Sequence, residues 1–238
     1  MTIRTLIMDK PGSNRYARLG RAFQRSVEAT MPTGTRFQAT TTVAPSAASK
    51  PYKPNVNGFL EKLRAWNKTV QHATEPLWLC DCDMLMLNSV EAIPDCNIAF
   101  TWHEAGMPPI NTGAVYVTPG AESRAFFRTW LDVYEDMLGD WNLYVEWADD
   151  WAGGDQAALG YVLHSLSVND WGIEAIPCRE YNATQYEWQI SNLDTVRLVH
   201  IKSDLRKLCL GETKRMRKPA TARMEELARR WRHYDKGR

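Results

Sequence analysis

A chain of 238 residues, 44% hydrophobic and 24% charged, has the composition of an ordinary globular protein and the length for one substantial domain with its own core. No apolar run approaches the roughly 18 residues of a membrane span, which excludes a helical membrane class. The net charge of +1 hides an asymmetry: from Leu205 onward twelve Lys and Arg face four acids, a net +8, which leaves −7 on the first 204 residues.

Cys80, Cys82, Cys96, Cys178 and Cys209 are an odd, scattered set with no C-x-x-C pair, which argues against a disulfide framework and a structural zinc site. The N-terminal apolar stretch stops too soon, at Asp9 and Lys10, for a secretion signal. The expectation is a reduced, cytoplasmic protein.

In chain order, residues 3–8 read as a strand, followed by the turn-like K-P-G-S-N. A helix over Arg15–Thr30 places Tyr16, Leu19, Phe23 and Val27 on one face, and a second strand covers Arg36–Val43. Residues 44–57, rich in Pro, Ser and Asn, read as a loop. A helix over Gly58–His72, with Phe59, Leu63, Trp66 and Val70 on one stripe, feeds a strand at Leu77–Cys80. Strands follow at 97–102 and 113–117, then a long amphipathic helix over 121–138 that Gly139 stops. G-G-D-Q at 153–156 opens a helix ending near Leu166, and strands at 173–176 and 196–201 complete the body. Strands alternating with helices give an α/β class with a mostly parallel sheet flanked by helices.

Residues 1–210 form this body, and 211–238 a basic C-terminal extension. Its helix, about 222–234, has Thr221 as N-cap, an apolar stripe of Met224, Leu227, Ala228 and Trp231, and Arg223, Arg229, Arg230 and Arg232 on its other face. Such a segment suits a polyanion or a membrane surface, or serves only as a solvated charged face.

Four features can carry chemistry. D-C-D at Asp81 and Asp83 ends an apolar strand, and in extended chain positions i and i+2 point to the same side, so both carboxylates can converge on one divalent cation. Oxygen ligands suit Mg²⁺ or Mn²⁺ better than zinc. Alone D-x-D is a weak signal; its place at the carboxyl end of a strand, where open α/β sheets bind ligands, strengthens it. H-I-K-S-D-L-R-K at 200–207 supplies His200 as a third ligand, with Lys202, Arg206 and Lys207 to neutralise a diphosphate. N-T-G at 111–113 and G-G-D-Q offer Asn111, Asp155 and Gln156 as short polar groups for sugar hydroxyls. The bland alternatives are a hydrogen-bonded histidine, a tight turn at Gly113 and an N-cap at Asp155. Trp141, Trp147 and Trp151 bunch before G-G-D-Q as core packing or as an acceptor-side wall.

Strand–D-x-D, N-T-G, G-D-Q and H-x-x-S-x-x-R-K, in this order over roughly residues 60–210, resemble the nucleotide-sugar glycosyltransferases of the GT-A fold, the glycogenin-like, galactosyltransferase group of retaining enzymes in particular. The resemblance implies a Rossmann-type mixed sheet and a donor such as a UDP-sugar. It further implies Mn²⁺ (or Mg²⁺) on Asp81, Asp83 and His200, and a phosphate contact from Lys207. Asn111, Asp155 and Gln156 would hold the donor sugar, and Met8, Asp9 and Tyr16 would lie near the nucleoside. The family usually has glycine where this chain has Ser203, and residues 211–238 have no counterpart. The acceptor hydroxyl could belong to a hydroxymethylated base in DNA, bound through the basic segment, or to a polysaccharide, a lipid-linked sugar or a protein. A nucleotidyltransferase or a non-catalytic nucleotide or nucleic-acid binding module are the rival classes.

Overall fold

The computed structural model describes residues 1–10, 12–43, 56–93, 95–104, 109–165 and 171–236. Its strands are β1 (Thr2–Asp9), β2 (Arg36–Val43), β3 (Leu77–Asp81), β4 (Met84–Met86), β5 (Ile98–Trp102), β6 (Ile110–Val117), β7 (Ile173–Pro177) and β8 (Leu198–His200). The helices are α1 (Arg15–Thr30), α2 (Val56–His72), α3 (Ala121–Gly139), α4 (Trp141–Ala148), α5 (Asp155–Ser165), α6 (Cys178–Tyr181), α7 (Gln185–Trp188), α8 (Ser203–Leu210) and α9 (Ala222–Asp235). Residues 44–55 of the expected loop, Pro11 of the first turn and Leu166 lie outside the described residues.

Six strands make one sheet in the order β2-β1-β3-β6-β5-β7. β1 pairs in parallel with β2 and β3, and β5 with β7, while β6 is antiparallel to both its neighbours. The sheet is therefore mixed and mostly parallel, as the strand–helix alternation requires. β4 and β8 form a separate two-stranded antiparallel ladder, so the strand expected at 196–201 is short and stands outside the main sheet.

β3 shows how the site is aimed. Leu77 and Leu79 face the core shared with α2, α3 and α5; Trp78 and Cys80 face the opposite core with α1 and β4. Alternation then turns Asp81 toward α2. Because β6 runs backwards, its first residues reach the edge of the sheet where β3 and β5 end, beside Asp81.

α4 is a helix of its own, begun by the Asp140 carboxylate, which accepts hydrogen bonds from the backbone N–H groups of Asn142 and Leu143. At the other end of the chain, Thr221 caps α9 by accepting from the Met224 N–H. Met224, Leu227, Ala228 and Trp231 pack on Leu19 and Ala22 of α1 and Leu205 and Leu208 of α8. Arg18 pairs with Asp235 at 2.6 Å, and Arg25 donates to the carbonyl of Tyr234. The basic segment is thus docked into a core rather than trailing from it. No helix of the described residues is long and apolar enough to cross a membrane.

Candidate active site

Two backbone devices bring distant residues together at the carboxyl edge of β3. The β4–β8 ladder sets Met84 opposite His200, and the Ile201 N–H donates to the Asp83 carbonyl at 2.7 Å. His200 Nε2 consequently lies 3.2 Å from Asp83 Oδ1 and 3.5 Å from Asp81 Oδ2. His200 is 1% exposed. The three residues predicted to share a cation do converge.

Each carboxylate keeps its other oxygen for a fixed cation. Lys62 of α2 lies 2.9 Å from Asp81 Oδ1 and 3.0 Å from Asp155 Oδ2, and Arg206 of α8 donates to Asp83 Oδ2 at 3.0 Å. Burial would push Lys62 toward neutrality, but Asp155 and Asp81 outweigh it and hold its pKa above the ordinary value, so the ammonium stays charged. Burial likewise raises Asp83, and His200, Arg206 and Lys202 outweigh it, holding the carboxyl below its ordinary range. Burial and then Lys202 lower the His200 pKa against the pull of Asp83.

Lys62 also accounts for the sugar-side candidates. The Thr112 hydroxyl and Lys62 both donate to Asp155 Oδ2, at 2.9 and 3.0 Å, so Asp155 is tied through one lysine to Asp81. Gln156 donates to the Ile110 carbonyl at 2.9 Å, and Asn111 Oδ1 accepts from the Gly113 N–H at 3.0 Å. Asn111, Asp155 and Gln156 therefore gather at the start of β6, beside the metal-competent cluster. Gly153 and Gly154 both take left-handed φ, +69° and +62°, at the turn into α5.

Other candidates are placed differently. Asp9 accepts from the N–H groups of Tyr16 and Ala17 at 2.9 and 2.7 Å, and so anchors the start of α1. Tyr16 OH accepts from Arg206 at 3.3 Å, which puts the tyrosine next to Asp83. Lys207 pairs with Asp204 on its own helix at 2.7 Å, and Arg206 is the α8 cation that reaches the carboxylates. Ser203, where the resembling family has glycine, adopts the left-handed φ of +51° that glycine accommodates best. Trp141 stacks on Tyr144, Trp147 packs against Tyr161, and Trp151 covers Gly160, all three half-buried.

Sequence reading missed Lys62, although its signal was present: a lysine three residues after Phe59 and four before Trp66 sits on an apolar stripe. It also missed Asn182, which joins His200 Nδ1 at 2.9 Å. A second buried group, His103, Cys178 and Glu187, went unnoticed as well. There His103 Nδ1 is hydrogen-bonded to Glu187, and Thr184 donates to Glu187 Oε2 through its N–H at 2.8 Å and its hydroxyl at 2.5 Å. The Cys178 thiol donates to the Asn182 carbonyl, and burial raises its pKa. Both trios have the spacing of possible metal ligands.

No protein-family model matches the sequence, and neither does any curated protein. Solved structures do resemble the chain. A glycosyltransferase involved in glycosylation of the major capsid of PBCV-1 superposes with a TM-score of 0.56 at 14% identity, over 99% of this chain and 100% of that one. The galactosyltransferase LgtC, solved with donor and acceptor sugar analogues, gives 0.55 at 14% identity over 100% and 96%. The glycosyltransferase GlyE of Streptococcus pneumoniae TIGR4 gives 0.60 at 10% identity over 98% of this chain and 60% of its own. These likenesses show the fold: that of the GT-A nucleotide-sugar glycosyltransferases.

Proposed function

We propose that this GT-A-fold chain is a metal-dependent glycosyltransferase that moves a sugar from a nucleotide-diphosphate donor, a UDP-sugar by family resemblance, to a hydroxyl acceptor. The observation that carries the reading is that Asp81 Oδ2 and Asp83 Oδ1 both lie within 3.5 Å of His200 Nε2, with the three ligand atoms within 4.8 Å of one another, at the strand end where this sheet class binds ligands. An octahedral ion with bonds of about 2.1 Å has ligand–ligand edges of about 3 Å, so one imidazole and two carboxylates at these separations fit Mn²⁺ or Mg²⁺.

When bound, the ion would act as a Lewis acid on the diphosphate, where negative charge develops as the anomeric bond breaks. The chain's own residues do the rest. Lys62 and Arg206 each hold one oxygen of Asp81 and Asp83 in place, and Arg206 and Lys202 would offer fixed positive charge to the leaving diphosphate. Asp155, Gln156 and Asn111 are held by Lys62 and by β6, so donor-sugar hydroxyls would meet pre-set partners. Retention at the anomeric carbon is the outcome that the family resemblance favours. Residues 1–210 would carry this chemistry in a cytoplasmic enzyme, with 211–238 as a docked basic extension.

For the acceptor, a saccharide hydroxyl is the reading that LgtC, crystallised with an acceptor sugar analogue, supports. A hydroxymethylated DNA base is a second reading, favoured by the basic segment. Its Arg223 and Arg230 pair with Glu226 and its Arg232 with Glu225, whereas Lys214, Arg217, Lys218 and Arg229 have no ion-pair partner among the described residues. Salt-sensitive duplex binding that is lost on replacing those four by glutamine would support DNA; no binding at low salt would remove it.

The main test is incubation with a panel of nucleotide sugars and Mn²⁺, reading free nucleotide. One donor should be turned over, and Asp83→Asn should lose that turnover by 100-fold or more, on the scale of removing an electrostatic stabiliser. Undiminished turnover by Asp83→Asn in EDTA would refute the metal assignment. Mn²⁺ binding without release from any donor would refute transfer and leave a binding module.

A further inference from the structure

We infer that Asn182 is a positioning residue that fixes the tautomer of His200, so that the ring's unprotonated nitrogen faces Asp81 and Asp83. The inference rests on the proposed cation site. The hydrogen bonds around Asn182 fix which end of its amide accepts, and with it a proton on His200 Nδ1.

Asn182 is fully buried. One end of its amide lies 2.8 Å from Thr101 Oγ1 and 3.1 Å from the Asn111 carbonyl oxygen. A carbonyl oxygen can only accept, so that end must be the NH₂ group. The Thr101 hydroxyl spends its own proton on the same Asn111 carbonyl at 2.5 Å, and therefore accepts from Asn182. The other end of the amide is then the oxygen, which can only accept, and it lies 2.9 Å from His200 Nδ1. Nδ1 must carry a proton. In the neutral ring this leaves Nε2 bare, 3.2 and 3.5 Å from two carboxylate oxygens, with three lone-pair atoms aimed at one place. A neutral ring of the opposite tautomer would satisfy Asp83 by itself and waste the Asn182 oxygen.

The surroundings prevent the ring from escaping this arrangement. A Cβ at Gly113 would fall 2.4 Å from His200 Nδ1 and Cε1 and 2.8 Å from Asn182 Oδ1, so the β6 backbone is packed directly against both groups. The His200 N–H donates to the Ala183 carbonyl at 2.9 Å, and the Ala183 N–H to that of Leu198 at 2.9 Å, which locks the Asn182 segment to β8. Groups that orient a metal-bound imidazole through its distal nitrogen typically change metal affinity 10- to 100-fold when removed.

The test uses full-length protein labelled with ¹⁵N-histidine and freed of metal with EDTA, with His200 assigned by the signal lost in His200→Gln. Long-range ¹H–¹⁵N correlation spectra distinguish the two neutral tautomers. The wild type should show the Nδ1–H form, and Asn182→Leu, similar in volume but unable to accept, should shift the ring toward Nε2–H. Mn²⁺ titration followed by electron paramagnetic resonance should give about 10- to 100-fold weaker binding for Asn182→Leu. An Nε2–H ring in the wild type overturns the inference, as does a folded Asn182→Leu that binds Mn²⁺ like the wild type. If Asn182→Leu does not fold, the wild-type spectrum decides alone. A wild type that binds no Mn²⁺ sinks the cation site, whereas the tautomer, measured without metal, reports separately on Asn182.

Discussion

Among the described residues, two largely buried trios of metal-competent side chains, Asp81–Asp83–His200 and His103–Cys178–Glu187, share ligand-like spacing but not hydrogen-bond balance. In the second trio, His103 answers one oxygen of Glu187 and Thr184 the other, and the Cys178 thiol has the Asn182 carbonyl. Its partners complete one another, and the protonated thiol would have to ionise before it could bind a metal. In the first trio, Lys62 and Arg206 take one oxygen of each acid, and the remaining two oxygens face the bare nitrogen of His200. Proximity alone does not mark an ion site. A surplus of acceptor atoms converging on one point does, because Lys62 and Arg206 engage the far oxygens of the two acids and a neutral His200 that donates from Nδ1 to Asn182 has no proton left for the near ones.

The comparison breaks most severely at Lys62. Lys62→Met would leave the buried Asp155 and the half-buried Asp81 without their cation. Removing one partner of a buried ion pair costs about 3–5 kcal/mol, so chemical denaturation should show a loss of that size. Added Mn²⁺ should recover part of it by neutralising Asp81. A loss under about 1 kcal/mol would mean that the acids were never dependent on the lysine.

Glu187→Gln probes the self-satisfied trio and should cost about 1–3 kcal/mol, the range for a buried hydrogen-bond partner, while leaving Mn²⁺ affinity unchanged. Burial raises the Glu187 pKa, but the hydrogen bonds from His103 and Thr184 outweigh it and hold it below the ordinary value. A depressed folded pKa stabilises above the unfolded carboxylate value of about 4.3 and loses that stabilisation as pH falls through the folded value. The gap between wild type and Glu187→Gln in thermal unfolding should therefore narrow from pH 7 toward pH 3. A gap that widens in acid would contradict the sign.

The smallest effect belongs to Ser203, the first residue of α8, three residues after His200. A left-handed φ costs an L-residue about 1–2 kcal/mol, while glycine loses about 0.5–1 kcal/mol more chain entropy on folding. Ser203→Gly should accordingly leave stability unchanged or raise it by up to about 1 kcal/mol in thermal unfolding. A clear destabilisation would show that the serine side chain, rather than the backbone, shapes the start of α8.

Much of the fold was legible because it is carried by local periodicity: the α1 and α2 stripes, the apolar β3 run and the α9 stripe all appear at nearly the expected bounds. The reversed direction of β6 was not legible, since a strand's own residues do not record which way its neighbours run. Asp81, Asp83 and His200 could be found because i, i+2 geometry and a strand end leave a mark in sequence. Lys62 left one too, as the charge on an apolar stripe. Asn182 left none: its partners, Thr101, Asn111 and His200, lie 81, 71 and 18 residues away, and only the packing of β5, β6 and β8 unites them. Arg206 rather than Lys207 reaches Asp83 because Asp204 takes the lysine one turn along α8.

The most direct measurement is a Mn²⁺ titration of the wild type, Asp83→Asn and Cys178→Ser, read by electron paramagnetic resonance. One tight ion per chain is expected in the wild type and in Cys178→Ser, and its loss in Asp83→Asn. Full-strength binding retained by Asp83→Asn, or abolished in a folded Cys178→Ser, would contradict this expectation.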